Sequence, residues 1–279
     1  MSIEKTILSR DRRGISELRK YVADDYCDRA AKLILENPGT AVIATGFYIL
    51  DSGAVETDGP PGAIAIGNAL EALGYKVVYL TDHYGLSVME RIKSQNSEIL
   101  EFPITDEEKS QECAKTILKD VNPSVLIAIE RCGFTADKKY RNMRGRDITA
   151  YTAKIDYLFQ WGLPSVGVGD GGNEIGMGNL SKEIMTVPSL VDEPCTTSVS
   201  ELVLASVSNW GGYGLASSLS NFSNKNLLPR IEEEEQNIIS IVEAGAVDGM
   251  SGLTEHKVDG FTLEENTELL KDLHQLVVT

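Results

Sequence analysis

Cysteine and histidine are scarce in this 279-residue sequence, and neither has the spacing of a metal site. The cysteines include no CxxC pair, which indicates free thiols in a reducing cytosol rather than a disulfide framework or a zinc site. We therefore expect a cytoplasmic protein. No HExxH helix, GxSxG elbow or GxxxxGK[S/T] loop is present. These absences give no support to zincin or serine-hydrolase mechanisms, and they exclude a P-loop.

Long hydrophobic runs and positive charge are also lacking. The longest apolar run, from residue 41 to 50, is well below the ~20 residues of a membrane helix. The N-terminal segment MSIEKTILSRDRR has no continuous hydrophobic region of a secretory signal. Lysine and arginine number 26 against 42 aspartate and glutamate residues, so the formal net charge is -16. Because such a charge repels phosphate backbones, we expect neither a membrane nor a nucleic acid as partner.

Short β-branched runs alternate with longer helical patterns from residue 37 onward. The predicted strands cover 41–47, 76–81, 97–103, 123–130 and 164–168, and the predicted helices between them cover 61–73, 86–94, 106–118 and 148–160. Strands that are apolar throughout are covered on both faces, which is typical of a parallel sheet between helix layers. The sequence therefore predicts an α/β fold: a doubly wound, mostly parallel sheet with helices on both faces, as in a Rossmann-like three-layer sandwich.

The rest of the chain is predicted to be helical and to belong to the same unit. We expect a single α/β domain over 1–279, with an N-terminal helical extension (1–40), a sheet core (41–200), and C-terminal helices with a glycine-rich loop (201–279). The extension carries an amphipathic pattern over 15–37. Further helical patterns cover 200–219, 232–244 and 263–277.

Acidic side chains follow several predicted strands. They are Glu56 and Asp58 after the first strand, Asp82 after the second, Glu130 after the fourth, and Asp170 and Glu174 after the fifth. Ligands of open parallel sheets bind beyond the carboxyl ends of the strands, so these groups are expected in one crevice. A single such carboxylate is usually a helix cap or a solvated loop residue. Several together must share protons, bind a cation or pair with arginines, for which Arg131, Arg144 and Arg146 are candidates.

Glycine-rich loops accompany these acids. Gly167, Gly169 and Gly172 satisfy GxGxxG, but they follow the fifth strand and open no clear helix, so we predict no nucleotide cofactor. We expect the backbone of 169–178 to approach a small ligand, with Asn173 among the polar contacts; a glycine-lined turn needed for packing is the alternative. A second loop, 245–252, is expected to fold over the crevice and add Asp248.

Taken together, these segments resemble a known family. The runs ATGF, ETDGPPGA, NMRGRD, GVGDGGNEIGMGN and GAVDGMSG are similar to those of the D-glutamate cyclase-like C-terminal domain family, over roughly 38–260. The full-length cyclases of that family convert D-glutamate into 5-oxo-D-proline and water, and in them this domain follows a separate one. The resemblance implies a lyase that acts on a small amino acid or organic anion.

The chemistry of ring closure assigns provisional roles to the acids and loops. A neutral amine must attack a carboxyl carbon and hydroxide must leave, so an acidic crevice would supply a raised-pKa carboxylic acid or hold Mg²⁺ or Mn²⁺. The predicted catalytic residues are Asp58, Glu130, Asp170 and Glu174, and the predicted metal ligands are Asp58, Asp170 and Glu174. The predicted substrate-binding residues are Thr45, Gly46, Thr57, Arg131, Arg146, Gly171, Gly172, Asn173 and Asp248.

Two other functions are compatible with the same features. One is a non-catalytic module that binds a small anion or amino acid and partners a separate cyclase domain. The other is a nucleotide- or phosphate-binding enzyme that uses the two glycine loops. Assembly into a homo-oligomer is open in all three cases.

Overall fold

The computed structural model describes residues 2–277 and contains a six-stranded parallel sheet flanked by helices. The strands are β1 (Thr40–Thr45), β2 (Tyr48–Ile49), β3 (Ala54–Val55), β4 (Lys76–Thr81), β5 (Glu98–Glu101), β6 (Val125–Ile129), β7 (Ser165–Gly169), β8 (Glu201–Leu204), β9 (Lys257–Val258) and β10 (Phe261–Thr262). The α-helices are α1 (Ile3–Ile7), α2 (Tyr26–Leu35), α3 (Pro60–Ala72), α4 (Leu86–Ile92), α5 (Glu107–Val121), α6 (Ser181–Ile184), α7 (Ser208–Ser223), α8 (Ile231–Glu243) and α9 (Leu263–His274).

The order of the main sheet is β5-β4-β1-β6-β7-β8. The chain therefore builds outward from β1 in one direction, returns to pair β6 with the other side of β1, and continues outward to β8. Thr45, the last residue of β1, pairs with Ile129, the last residue of β6. A topological switch point of this kind leaves a crevice outside the carboxyl ends of the two central strands.

Helices cover both faces of the sheet, which confirms the predicted fold class. On one face Ile43 and Ile127 pack in a core with α2, α3 and α7. On the other face Val42 and Leu126 pack with α5 and a 3-10 helix, Ile155–Trp161. The alternate residues of each strand are thus buried on opposite sides, as in the apolar strands of parallel sheets.

The sheet has one strand more than the sequence predicted. Residues 200–219 were expected to form a helix interrupted by Gly211, Gly212 and Gly214, yet β8 pairs with β7 up to Gly169 and Leu204, and helix α7 begins only at Ser208. The sheet therefore extends beyond the predicted core boundary at residue 200. The apolar run of β8 is too short for its periodicity to distinguish a strand from a helix.

Two predicted helices are interrupted, each where a buried or half-buried arginine binds backbone carbonyls. The predicted helix over 15–37 divides into a 3-10 helix, Ile15–Tyr21, and α2, and the Arg19 guanidinium donates to carbonyls of the intervening residues. The predicted helix over 148–160 divides into two 3-10 helices. Between them the Ala153 carbonyl accepts from Arg131. A periodicity argument does not reveal such side-chain bonds to backbone carbonyls, whether they are local, as for Arg19, or distant along the chain, as for Arg131.

None of the helices described within residues 2–277 combines the length and hydrophobicity needed to cross a membrane. All four cysteines, Cys27, Cys113, Cys132 and Cys195, are free thiols. Burial raises the pKa of the thiols of Cys27, Cys132 and Cys195 well above the usual range. These three cysteines therefore behave as small apolar core residues.

Candidate active site

A cavity of about 380 Å³ opens at the carboxyl edge of the sheet, beside the switch point. One wall is polar and is formed by Arg13, Glu56, Glu130, Asp170, Asn173 and Glu174. The lining also includes apolar side chains, those of Phe47, Ile49, Leu50, Met143 and Met250. A concave site with a few convergent polar groups on an apolar background is typical of small-molecule sites.

Six buried carboxylates meet at the polar wall or directly behind it; we call them the acid cluster. Its members are Glu56, Asp58, Glu130, Asp170, Glu174 and Asp259, each at most 5% exposed. Oxygens of Asp58, Asp170 and Asp259 lie within 4.8 Å of one another, as do oxygens of Glu130, Asp170 and Glu174. Of the strand-end acids expected in one crevice, five therefore converge, whereas Asp82 lies outside the cluster and pairs with Arg131 at 2.7 Å.

Glu130 directly follows β6 and has a left-handed backbone, with φ 41°. Non-glycine residues rarely adopt this conformation, and it is concentrated at functional sites. The Ser208 hydroxyl donates to Glu130 Oε2 at 2.5 Å. Burial, followed by the charges of Glu174 and Asp58, raises the pKa of the Glu130 carboxyl well above its usual range. The raised pKa favours the protonated form of this carboxyl in the cavity.

Arg13 inserts a guanidinium into the acid cluster. Its Nη1 lies 2.5 Å from Asp170 Oδ1 and its Nη2 lies 2.7 Å from Asp259 Oδ2. Burial raises the pKa of the Asp170 carboxyl well above its usual range even though the charge of Arg13 opposes the shift. One guanidinium cannot neutralise six carboxylates, so the cluster must share protons or take up a further cation.

Asp58 faces the start of helix α7. Its carboxylate accepts from the amides of Asn209 at 2.7 Å and Ser208 at 2.8 Å, and Asn209 Oδ1 in turn accepts from the amides of Gly59 and Gly62 at the start of α3. The two helix starts are thereby capped reciprocally. Burial raises the pKa of Asp58 to about 7, although the amide bonds lower it. Asp58 does not line the cavity, so it positions Ser208, the partner of Glu130.

Glu174 organises the glycine loop. Its carboxylate accepts from the amides of Gly171 at 2.7 Å and Gly172 at 2.8 Å, and more weakly from Asp170 at 3.2 Å. Gly171 and Gly172 were predicted to bind substrate, but their amides point to Glu174 and neither residue lines the cavity. Asn173 does line it, and its side chain donates to the Arg141 carbonyl at 3.0 Å.

The two arginines predicted to bind substrate already have partners. Arg131 is 1% exposed, lies 2.7 Å from Asp82, and donates to the carbonyls of Gly46 and Ala153. Arg146 Nη1 lies 2.5 Å from Asp51 Oδ1. Neither lines the cavity. That they hold a substrate carboxylate therefore stays a prediction, and the ion pairs that already engage their charge weigh against it.

The other predicted substrate-binding residues support the walls. The Thr57 hydroxyl donates to the Lys257 carbonyl at 2.6 Å, and Asp248 accepts from the amides of Ser251 and Gly260 at 2.9 and 2.7 Å. The Gly46 carbonyl accepts from Arg131. Thr45 is fully buried at the end of β1, and among the described residues 2–277 its hydroxyl has no hydrogen-bond partner. These four residues hold loops in place and do not line the cavity.

Three charged residues of the acid cluster and its ion pairs were not among the predicted site residues: Arg13, Glu56 and Asp259. Burial, followed by the charges of Glu130 and Asp259, raises the pKa of Glu56 well above its usual range. A Cβ atom at Gly249 would lie 2.0 Å from Glu56 Oε2, so only glycine fits against this carboxylate. The acidic loop 51–62 pointed to Glu56. The RDRR run and the Asp259-Gly260 turn gave no signal that they meet at the sheet edge.

Buried carboxyls with raised pKa values bind protons in the native state, so we expect the free energy of unfolding to fall as the pH rises. Asp58 and Glu234, a buried carboxyl outside the cavity that accepts from the Tyr213 hydroxyl, each have a pKa raised by burial to about 7. Between about pH 5 and 7 the native state therefore binds protons that the unfolded chain has released, so the free energy of unfolding should fall by at least about 1 kcal/mol per pH unit. Denaturation in chelator-treated buffer measures this. E234Q should make the decline shallower, and a flat profile would contradict the shared-proton description.

Comparison with known proteins identifies relatives of this chain. The family model described as "D-glutamate cyclase-like, C-terminal" matches residues 3–274. The chain is also 32% identical over 286 residues to the mitochondrial D-glutamate cyclase of Homo sapiens. That alignment covers 87% of this chain and 46% of the human protein, so the chain spans about half the length of this relative. The family resemblance seen in the motifs is confirmed.

Proposed function

Because the chain belongs to the D-glutamate cyclase-like C-terminal family, we propose that it is a lyase that converts D-glutamate into 5-oxo-D-proline and water. The name of the human relative supports the substrate. The acid cluster is the observation that carries the proposal. Its carboxyls with raised pKa values line a cavity large enough for a small amino acid.

The proposed reaction moves protons from the substrate nitrogen to the leaving oxygen and does not change the net charge. The substrate ammonium must lose a proton before its nitrogen can attack the γ-carboxyl carbon, and a second proton leaves as the amide forms. The leaving oxygen departs as water once it has received two protons. A site that accepts protons at nitrogen and delivers them to oxygen therefore balances the reaction. Carboxyls with raised pKa values suit both tasks near neutral pH.

The positions of the acids indicate which of them exchange protons with the substrate and which hold other residues in place. Glu130 and Asp170 line the cavity, have raised pKa values, and are proposed to carry protons between substrate nitrogen and oxygen. Glu56 lines the same wall and is proposed to share this role. The carboxylates of Asp58 and Glu174 already accept hydrogen bonds from backbone amides. We assign them to positioning.

A divalent cation fits the donor set. Glu130, Asp170 and Glu174 offer three carboxylate oxygens in one group. Asp170 Oδ1 is paired with Arg13, whereas Asp170 Oδ2 has no hydrogen-bond partner within residues 2–277. Hard cations such as Mg²⁺ and Mn²⁺ prefer such ligands. The predicted set of Asp58, Asp170 and Glu174 is split, since Asp58 groups with Asp170 and Asp259 around Arg13. When bound, the ion would polarise the carboxyl group that is attacked.

The test is conversion of D-glutamate by the purified chain. We expect 5-oxo-D-proline to accumulate, L-glutamate to react more slowly, and a chelator to lower the rate until Mg²⁺ or Mn²⁺ is restored. Product formation is measured by chiral chromatography. A complete absence of product with every ion tested would overturn the proposal.

A binding module is the second candidate, and one observation favours it. The matched region is 46% of the human cyclase, so residues outside that region can contribute to catalysis in the human protein. In this case D-glutamate would bind saturably and raise the melting temperature without any product. The same purified chain distinguishes the two functions.

A further inference from the structure

A rigid turn forms part of the cavity mouth. The Asn142 amide donates to the Arg146 carbonyl at 3.0 Å, and Asn142 Oδ1 accepts from the amides of Arg144 and Arg146, both at 3.0 Å. Gly145 completes the turn with a left-handed φ of 69°. The Asn142 side chain thus holds both arms of the turn together. The backbone of the turn is fixed, and so are the directions in which its other side chains leave it.

The turn is seated on the glycine loop that carries Asp170. A Cβ atom at Gly171 would lie only 2.5 Å from Met143 Sδ, so Met143 packs directly on that backbone. The next residue, Arg144, lines the cavity together with Asn142 and Met143. The packing therefore anchors the backbone of the turn beside the loop that carries Asp170.

Arg144 is the arginine of this turn whose charge is available. Its Nη1 lies 4.0 Å from Asp51 Oδ2, its side chain is 73% exposed, and within residues 2–277 its guanidinium donates no hydrogen bond. Arg146 lies much closer to the same carboxylate, at 2.5 Å. The other cation that lines the cavity, Arg13, is held between Asp170 and Asp259. An incoming anion therefore meets Arg144 first.

We propose that Arg144 binds the α-carboxylate of the substrate at the cavity mouth and so sets its orientation. This inference rests on the proposed function. With the α-carboxylate at Arg144, the ammonium and the γ-carboxyl group extend toward Glu130 and Asp170. Guanidinium and carboxylate pair through two parallel hydrogen bonds, which fixes direction as well as affinity. The site therefore selects amino acids with a free α-carboxylate and disfavours the corresponding α-amides.

Steady-state kinetics of R144Q test this role. A lost charged hydrogen bond costs about 1.5–3 kcal/mol, so KM for D-glutamate should rise about 10- to 100-fold, while kcat changes by less than about threefold because the acids are untouched. K139Q removes the same charge from a nearby exposed side chain that does not line the cavity. Its KM should stay within about threefold of the native value.

A second substrate makes the test specific. The native protein should bind D-glutamate more tightly than D-glutamic acid α-amide, and R144Q should lose most of that preference. An unchanged KM and an unchanged preference in R144Q would overturn the role of Arg144. If the native chain binds D-glutamate but forms no product, the cyclase proposal fails. Dissociation constants from calorimetry then replace KM, and the same comparison of native chain and R144Q still tests the role of Arg144. Absence of both turnover and binding overturns both.

Discussion

Replacing Glu130 by glutamine is expected to lower kcat for D-glutamate cyclisation by about 10²–10⁴-fold, the usual contribution of a positioned acid or base. Glu130 lines the cavity with a raised pKa, and an amide can neither hold nor release the proton. The fold should survive, because the glutamine oxygen still accepts from Ser208. The variant should also be at least as stable as the native chain near pH 8, since one carboxyl of the acid cluster is gone.

E234Q is the matched control for that prediction. Glu234 is also a buried carboxyl with a raised pKa that accepts a hydroxyl hydrogen bond, here from Tyr213, but it lies outside the cavity. The activity of E234Q should stay within about twofold of the native value. Neutralising a buried acid that does not contact the substrate changes the stability of the fold and not the chemical step. Equal losses of kcat in E130Q and E234Q would show that Glu130 acts through the fold and not on the substrate.

Replacing Arg13 by glutamine is expected to produce the largest loss of stability. The substitution leaves Asp170 and Asp259 without the guanidinium that lies 2.5 and 2.7 Å from them. Removal of one partner from a buried ion pair costs about 3–5 kcal/mol, because a buried charge is left uncompensated. The loss should be larger near pH 8 than near pH 6, since Asp170 can take up a proton as the pH falls. Chemical denaturation at both pH values measures the difference.

R10Q provides the comparison. Arg10 belongs to the same N-terminal segment and lies 2.9 Å from Glu268, but both side chains are exposed. Exposed pairs contribute about 0–1 kcal/mol, so R10Q should be close to the native chain at either pH. If R13Q behaved like R10Q, Arg13 would not be the countercharge of the acid cluster.

The fold was largely predictable because its signals are local. All five predicted strands of the sheet exist, and β4 has the predicted bounds. The predicted helices after the first three strands also exist, with shifted ends. The errors fall where contacts outside the periodic pattern decide: β8, which depends on pairing with β7, and the interrupted helices, which depend on arginines that bind the carbonyls between their two parts.

The site was predictable in its acids and not in its cations. Acids that directly follow parallel strands must lie at the same edge, which is why Glu130, Asp170 and Glu174 were found. Arg131 and Arg146 also lie near that edge, yet Asp82 and Asp51 already bind them. Sequence order shows that an arginine is near; it does not show which carboxylate it meets.

By itself, then, the amino-acid sequence determined the parallel sheet, the edge at which the cavity opens and the acidity of that edge, because strand periodicity and strand-end position are local properties. Only the tertiary structure decided the ionic pairing. Arg13 and Asp259 come from opposite ends of the chain and meet at Asp170 once helices and loops have packed. Coulombic energies in a buried site depend on separations of a few ångströms, and those separations exist only after the whole chain has folded.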